Sequence, residues 1–332
     1  MAPRRTVIPI EHPRLRGYNP LDLITGAYLG LTAILLAFTH DRVPNGSVYL
    51  MIHVGMVAVI ALLGCFPRRG NIFVQFFRDT YPMWFLPLFY GEIAVLNRLL
   101  WSGYFDATVL QWEQSLFGGF PSLLFESWLP SRLLSEFLHF SYMTYYLLVP
   151  ILGFWLYLRG RAEVCRVFAT TVMLTFFACY AIFILFPVAG PYYVFPRQET
   201  ARGFFPPLVH ALLDSGASRG AAFPSSHVAG AVAVLWMTAR FERPLLPLMA
   251  TLATGIFFGT VYGGFHYGVD ALAGLALGVA FSLIGPRAHA WLLRRARLGP
   301  MRFRFPHLRA SFRVPVFGKA RRVLVGRGRA AL

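Results

Sequence analysis

The chain has 332 residues, of which 57% are hydrophobic and only 14% charged, against about 25% charged in an ordinary soluble domain. That balance, with a mean hydropathy of +0.56, excludes a soluble globular enzyme and predicts an all-α, polytopic integral membrane helix bundle. The net charge of +17 does not imply a nucleic-acid partner, because the basic residues flank apolar stretches, where membrane topology accounts for them.

Residues 1–20 hold Pro3, Pro9, Pro13 and four arginines and read as a cytoplasmic N-terminal segment without a signal-peptide cleavage pattern. Apolar runs then predict about eight transmembrane helices, near 21–39, 48–66, 81–101, 133–157, 165–187, 226–241, 244–262 and 267–285. The expected organisation is accessory transmembrane helices and an interfacial segment at 21–132, a core at 133–286, and a basic cytoplasmic tail at 287–332 that contains no Asp or Glu. Cys65, Cys165 and Cys179 lie in or beside spans with no C-x-x-C spacing, so neither a disulfide framework nor a zinc site is expected.

Numbering the loops by alternating sides puts 25 of the 31 basic residues on one side and Arg42, Arg132, Arg197, Arg202 and Arg219 on the other. The excess of basic residues marks the cytoplasmic side. Both termini are therefore expected in the cytoplasm of a plasma or inner membrane.

Two histidines stand in the mouths of spans: His227 in "AAFPSSHVAGAVAVLW" and His266 in "GTVYGGFHYGVDALAG". The 39 residues between them run about 58 Å as helix, roughly one bilayer core down and one back. "TARFERP" supplies the turn, so both histidines return to one membrane face, which the charge pattern makes extracytoplasmic. Asp270, four residues after His266, shares its helical face. A third segment, "LFPVAGPYYVFPR", breaks its helix at Pro187 on the same face and ends on Arg197.

These residue types fit phosphoryl transfer. A helix starting at Ser225, Ser226 and His227 offers free N–H groups and a positive dipole end to a phosphate. An imidazole held by a carboxylate makes a better-oriented nucleophile or base. A second imidazole can protonate a leaving oxygen, and an arginine such as Arg197 can steady the transferred phosphoryl group. No cofactor or metal is required by this set.

"PSSH" and "HYGVD" resemble the second and third motifs of the type 2 phosphatidic acid phosphatase superfamily, over about residues 133–286. The resemblance implies a six-helix-type phosphatase core and a phosphohistidine intermediate, with His266 as nucleophile, Asp270 as its orienter and His227 as acid. It places Ser225 and Ser226 on the phosphate, with Tyr192 and Tyr262 beside the motifs as further substrate-binding candidates. The chain departs from the superfamily pattern in two places. No lysine stands in a first motif, the only one being Lys319, and Thr260 stands where an arginine precedes the third-motif histidine. "TVYGGFHYGVD" and "DATVLQWEQSLFGGFPS" are instead similar to the branch of inositol-phosphorylceramide synthases. There an arginine often follows Gly-Pro; here Tyr192 does, and Arg197 is the nearest replacement.

The implied partners are a lipid phosphate, the bilayer and an acceptor that is water or an alcohol such as inositol. A non-catalytic transporter would show broken helices in two repeated halves, and one cluster is found. A metal-dependent alcohol phosphotransferase needs several neighbouring carboxylates, and none stands near Asp270 in sequence. "HALLD" at 210–214 and "EFLH" at 136–139 imitate catalytic spacings; they read as a short amphipathic helix beside the entrance and a polar contact within the bundle. Tyr142, Tyr145 and Tyr146 read as packing residues.

Overall fold

A computed structural model describes residues 18–64, 72–196, 203–296, 300–303 and 312–315. The first helix, α1 (Pro20–Thr39), starts on a capping box. The Asn19 side chain accepts from Leu21 N at 3.1 Å, and Asp22 accepts from Asn19 N at 2.8 Å. A tight reversal follows, with Asn45 left-handed at φ 56°, and α2 (Gly46–Leu63) returns. A Cβ at Gly46 would lie 1.9 Å from His40 O, so only glycine closes this turn.

The expected span at 81–101 is two shorter pieces, α3 (Ile72–Trp84) and α4 (Leu86–Leu96). Pro82 and Pro87 each lack a backbone N–H, which interrupts the hydrogen-bond ladder on either side of Phe85. Two short helices follow, α5 (Asp106–Phe117) and α6 (Pro121–Trp128). Then come α7 (Arg132–Leu158), α8 (Ala162–Leu185), the single turn α9 (Pro191–Val194), α10 (Phe205–Gly216), α11 (Ser226–Phe241), α12 (Leu246–Tyr262) and α13 (Gly268–Ala296). Residues Pro300–Phe303 and Phe312–Pro315 pair antiparallel.

Six helices, α1, α2, α7, α8, α12 and α13, are long and apolar enough to cross a membrane. The other two expected spans are the split α3–α4 and α11, which has 16 residues. α13 continues through Pro286 to Ala296, into the stretch expected to be tail.

The centre of the bundle is α8. Phe168, Val172, Met173, Phe176, Cys179, Tyr180 and Phe183 on it are all at most 2% exposed, and it packs against α1, α3, α4, α7, α11 and α13. Apolar residues such as Leu31, Phe38, Met51 and Leu133 point outward instead, the arrangement a lipid solvent requires.

The two ends of the bundle differ. At one end Arg78 pairs with Asp22 at 2.5 Å, Arg166 bridges Asp79 at 2.7 Å and Glu163, and Arg161 meets Glu242 at 2.8 Å. At the other, α8 and α12 finish, α7, α11 and α13 begin, and both motif histidines lie there.

Candidate active site

Helix α11 begins where Ser225 takes extended angles, φ −64° and ψ 107°, and its Oγ accepts from Val228 N at 3.4 Å. Ser225 N donates to Asp270 O at 2.9 Å, tying the start of α11 to the start of α13. These two helices approach at backbone distance because α13 presents glycines. A Cβ on Gly274 would lie 2.4 Å from Ser225 O, and one on Gly278 2.8 Å from Ala229 O. Among the described residues the N–H groups of Ser226 and His227 have no hydrogen-bond partner, while those of Val228 and Ala229 are used by Ser225.

His266 reaches the same point from a turn after α12. Gly264 holds φ +68°, and the N–H groups of Phe265 and His266 fold back onto Thr260 O at 3.0 and 2.9 Å. His266 Nε2 lies 3.3 Å from His227 Nδ1. His266 Nδ1 lies 2.9 Å from Ala222 O and 3.5 Å from Asp270 Oδ2. The carbonyl is the true hydrogen-bond partner at these distances. Nδ1 therefore carries the proton and Nε2 the lone pair, and Asp270 acts on the ring chiefly as a nearby negative charge. Asp270 Oδ2 also accepts Tyr267 N at 2.8 Å. All three residues are buried: His227 is 5%, His266 4% and Asp270 0% exposed.

Tyrosines from α7 enclose His227. Tyr142 stacks on its ring at 4.7 Å and 24°, and Tyr145 lies at 4.3 Å. His227 Nε2 has no hydrogen-bond partner among the described residues. The residue borders two cavities. A small one of about 30 Å³ is shared with Ala189, Tyr192, Ala222 and His266. A large apolar one of about 580 Å³ extends among α3, α4, α7 and α8.

A PAP2 superfamily model matches residues 107–284, more than half of the chain, and the match includes His227, His266 and Asp270. The chain belongs to the PAP2 superfamily. No curated protein and no solved structure matches it. PAP2 membership points to phosphatase or phosphotransferase activity, and a membrane-embedded PAP2 protein fits a lipid phosphate substrate.

The PAP2 match begins inside α5, and α5 supplies two residues that the motifs alone do not reveal. Asp106 accepts from Ala189 N at 2.8 Å, Gly190 N at 2.9 Å and Tyr267 Oη at 3.0 Å. The segment it grips pairs with the one before α11: Ala222 N donates to Val188 O at 3.0 Å and Val188 N to Gly220 O at 3.3 Å. Gly190, at φ +92°, would set a Cβ 2.9 Å from Ala222 Cβ. Asp106 thus holds the strand pair that delivers Ala222 O to His266. Seven residues along the same face, Glu113 accepts Val269 N at 2.7 Å at the start of α13. Burial pushes its carboxyl up to about 7, against the opposing pull of the Val269 N–H. Burial and the Asp106 charge raise the Tyr267 phenol. Neither carboxylate was visible as a site residue beside Asp270. The available signal was two acids two helical turns apart in "DATVLQWE" on the face that carries Val109.

The remaining candidates are divided. Ser226 borders the large cavity. The Ser225 Oγ is engaged in capping. Tyr192 borders the small cavity, with its hydroxyl given to Asp214 at 2.6 Å. Tyr262 is drawn away, donating to Leu129 O at 3.1 Å and packing on Phe125. Arg197 and Arg202 lie outside the described residues. Arg219 stacks over Tyr104 and Tyr193 at 5.1 and 5.6 Å, and Tyr193 borders the small cavity. "HALLD" lies on α10, with His210 stacked on Tyr192. In "EFLH", Glu136 accepts from Phe204 and Phe205 N and so caps α10. Among the described residues no group of three His, Cys, Asp or Glu is arranged to hold a metal ion.

Proposed function

We propose that this protein is a lipid phosphatase/phosphotransferase that works without a metal through a phosphohistidine on His266. The observation that carries the reading is the contact of two buried imidazoles, one keyed by Ala222 O and Asp270, at the start of a helix with two unpartnered N–H groups. The phosphoryl group binds against His266 Nε2, and the 3.3 Å contact with His227 Nδ1 opens to admit it. His266 Nε2 donates its lone pair to phosphorus, the bond from phosphorus to the leaving oxygen breaks, and that oxygen takes its electron pair and a proton from His227. In the second half an acceptor O–H gives its proton to His227 as its oxygen attacks phosphorus, and the N–P bond returns its pair to His266. The Ser226 and His227 N–H groups receive charge on the phosphoryl oxygens, and Arg197 is proposed as their cationic partner.

Water as acceptor gives a phosphatase. Transfer to an alcohol such as inositol is the second reading. It is favoured by the depth of the pair, at most 5% exposed, and by the similarity of the α5 and third-motif segments to the inositol-phosphorylceramide synthase branch. The basic-residue pattern supports a site on the extracytoplasmic face of a plasma or inner membrane with both termini cytoplasmic. The division at residues 132 and 286 is kept as the proposed boundary of the catalytic core.

The test is rapid-quench labelling with a phosphate-labelled lipid phosphate in excess EDTA, worked up at alkaline pH and followed by peptide mapping. Label is expected on His266 with turnover maintained in EDTA. Label on His227, or full turnover by His266→Ala, would reverse the assignment, and dependence on an added divalent ion would remove the metal-free mechanism.

A further inference from the structure

The large cavity is not needed to hold a phosphate. Its volume of about 580 Å³ dwarfs the 30 Å³ space at the histidine pair, and among the described residues no Asp, Glu, Lys or Arg lines it. Phe76 and Met83 of α3, Gly91 of α4, Val149 and Gly153 of α7, and Phe176 of α8 form its walls. Trp84 and Tyr146, 48% and 44% exposed, stand at its outer rim on the face a bilayer would cover. His227 borders both spaces, with His266 on the side of the small one.

We infer that this cavity takes one hydrocarbon chain of the phosphoryl donor. The inference rests on the phosphoryl-transfer reading and adds to it where the leaving group lies. With phosphorus against His266, the leaving oxygen falls on the far side of the reacting centre. His227 stands there, with its partnerless Nε2 beside an uncharged channel. An alkyl chain is the occupant this chemistry accepts: most of the wall is apolar, and its polar side-chain atoms are confined to Thr80, Ser226, His227, Trp84 and four tyrosines, too few to pair the hydroxyls of a sugar or polyol along the whole channel.

The reach of the channel follows from α7. Tyr145 packs on His227, and Gly153 lies eight residues further along the same helix, about 12 Å at the helical rise. An extended chain of ~1.5 Å single bonds advances about 1.25 Å per bond, so roughly ten carbons fill it. Eight of the nineteen lining residues come from α3 and α4, so the helices ahead of the PAP2 match set chain selectivity. Gly91, in the middle of α4 and on the lining of the cavity, has nothing within 4 Å of where a Cβ would stand.

The test uses the full-length protein in nanodiscs and n-alkyl phosphates from ethyl to tetradecyl, kept monomeric in water. For the wild type kcat/KM is expected to rise by up to about fourfold per methylene and to level off near ten carbons. Gly91→Phe should lower the dodecyl-to-ethyl ratio of kcat/KM at least roughly tenfold, about two methylenes of lost reach, and Gly91→Ala should lower it little. A decyl phosphate carrying a terminal diazirine should cross-link to peptides of α3 and α7. A flat chain-length profile, or cross-links confined to the outer faces of α2 and α12, would overturn the chain site while leaving phosphoryl transfer intact. Failure to release phosphate from any substrate would sink the phosphoryl-transfer reading, and the cross-link map would still decide the cavity's occupant.

Discussion

Asp106→Asn separates bracing of the site from its chemistry. Asp106 touches neither histidine. Its two oxygens accept three hydrogen bonds, from Ala189 N, Gly190 N and Tyr267 Oη, and the residue is 8% exposed. Asparagine keeps one acceptor and turns the other into an N–H₂ facing a donor. With the amide nitrogen at the Oδ2 position, Ala189 N loses its acceptor; with the opposite flip, both Gly190 N and Tyr267 Oη do. Leaving a buried donor unsatisfied costs about 1–3 kcal/mol, so the substitution, in the flip that strands only Ala189 N, should remove about 1–3 kcal/mol and lower the apparent unfolding temperature by several degrees. The Val188–Gly190 segment holds the strand that carries Ala222 O, so His266 loses its fixed orientation. A misplacement of about 1 Å at a reacting group can lower the rate by roughly 100-fold. Adduct formation in a rapid-quench experiment should therefore slow by one to two orders of magnitude, with substrate affinity altered far less. The assay pairs that rate with a thermal-shift measurement on the same nanodisc preparation. Wild-type adduct formation in a variant that unfolds at the wild-type temperature would refute the chain of contacts from α5 to His266.

Three further outcomes follow from the same contacts. Glu113 has a folded-state value near 7 against an ordinary 4.5, so the native state holds the proton more tightly than the unfolded chain; stability should fall as pH rises from about 4.5 to about 7 and change little above. Glu113→Gln keeps an acceptor for Val269 N, and its unfolding temperature, followed against pH, should lose that slope; an unchanged slope would assign it to another group. Gly274→Val must push α13 away from Ser225 O, and overpacking of this kind costs about 1–3 kcal/mol. It should lower folded yield in size-exclusion profiles and abolish most turnover, and normal activity would contradict the close helix approach. His227→Ala should slow turnover of a lipid phosphate far more than adduct formation from an activated aryl phosphate, whose leaving oxygen needs little protonation. Equal losses with both substrates would deny His227 the role of acid.

The part of the site that depends on local spacing was legible in the sequence. The 39-residue interval returns His227 and His266 to one end of the bundle, and the i, i+4 step sets Asp270 near the imidazole. What was hidden is what hydropathy cannot encode. The run at 81–101 is apolar apart from Glu92, Asn97 and Arg98, yet its prolines split it into α3 and α4, because a missing N–H breaks a helix without changing its hydropathy. α11 is apolar but only 16 residues long. Its wall-to-wall burial among α7, α8, α12 and α13 means that its length answers to the bundle rather than to the bilayer. Asp106 and Glu113 look like surface acids in a short helix. Their burial is set by backbone N–H groups more than 80 and 150 residues away, a pairing no local pattern announces. The Ala222 carbonyl is equally invisible, since backbone acceptors carry no sequence signature.

The charged groups at the two ends of the bundle are partnered differently. At the opposite end Arg78, Arg161 and Arg166 each hold an internal carboxylate. At the site end four carboxylates accept from other groups. Asp106 and Asp270 take backbone N–H groups, Glu113 takes Val269 N, and Tyr192 serves Asp214. None of them makes an ion pair with an arginine among the described residues. Arg98 and Arg219 flank the Tyr104 ring at 4.7 and 5.1 Å, held by carbonyls and aromatic faces and by no carboxylate. Anionic side chains thus shape the loops through the neutral backbone, and Arg98 and Arg219 are left without a carboxylate partner among the described residues. Arg219 stands over Tyr193, which borders the small cavity, so one cation lies a single ring away from the space beside the histidine pair. In a site this poorly exposed to water, its attraction for a phosphate is screened far less than it would be in bulk solvent.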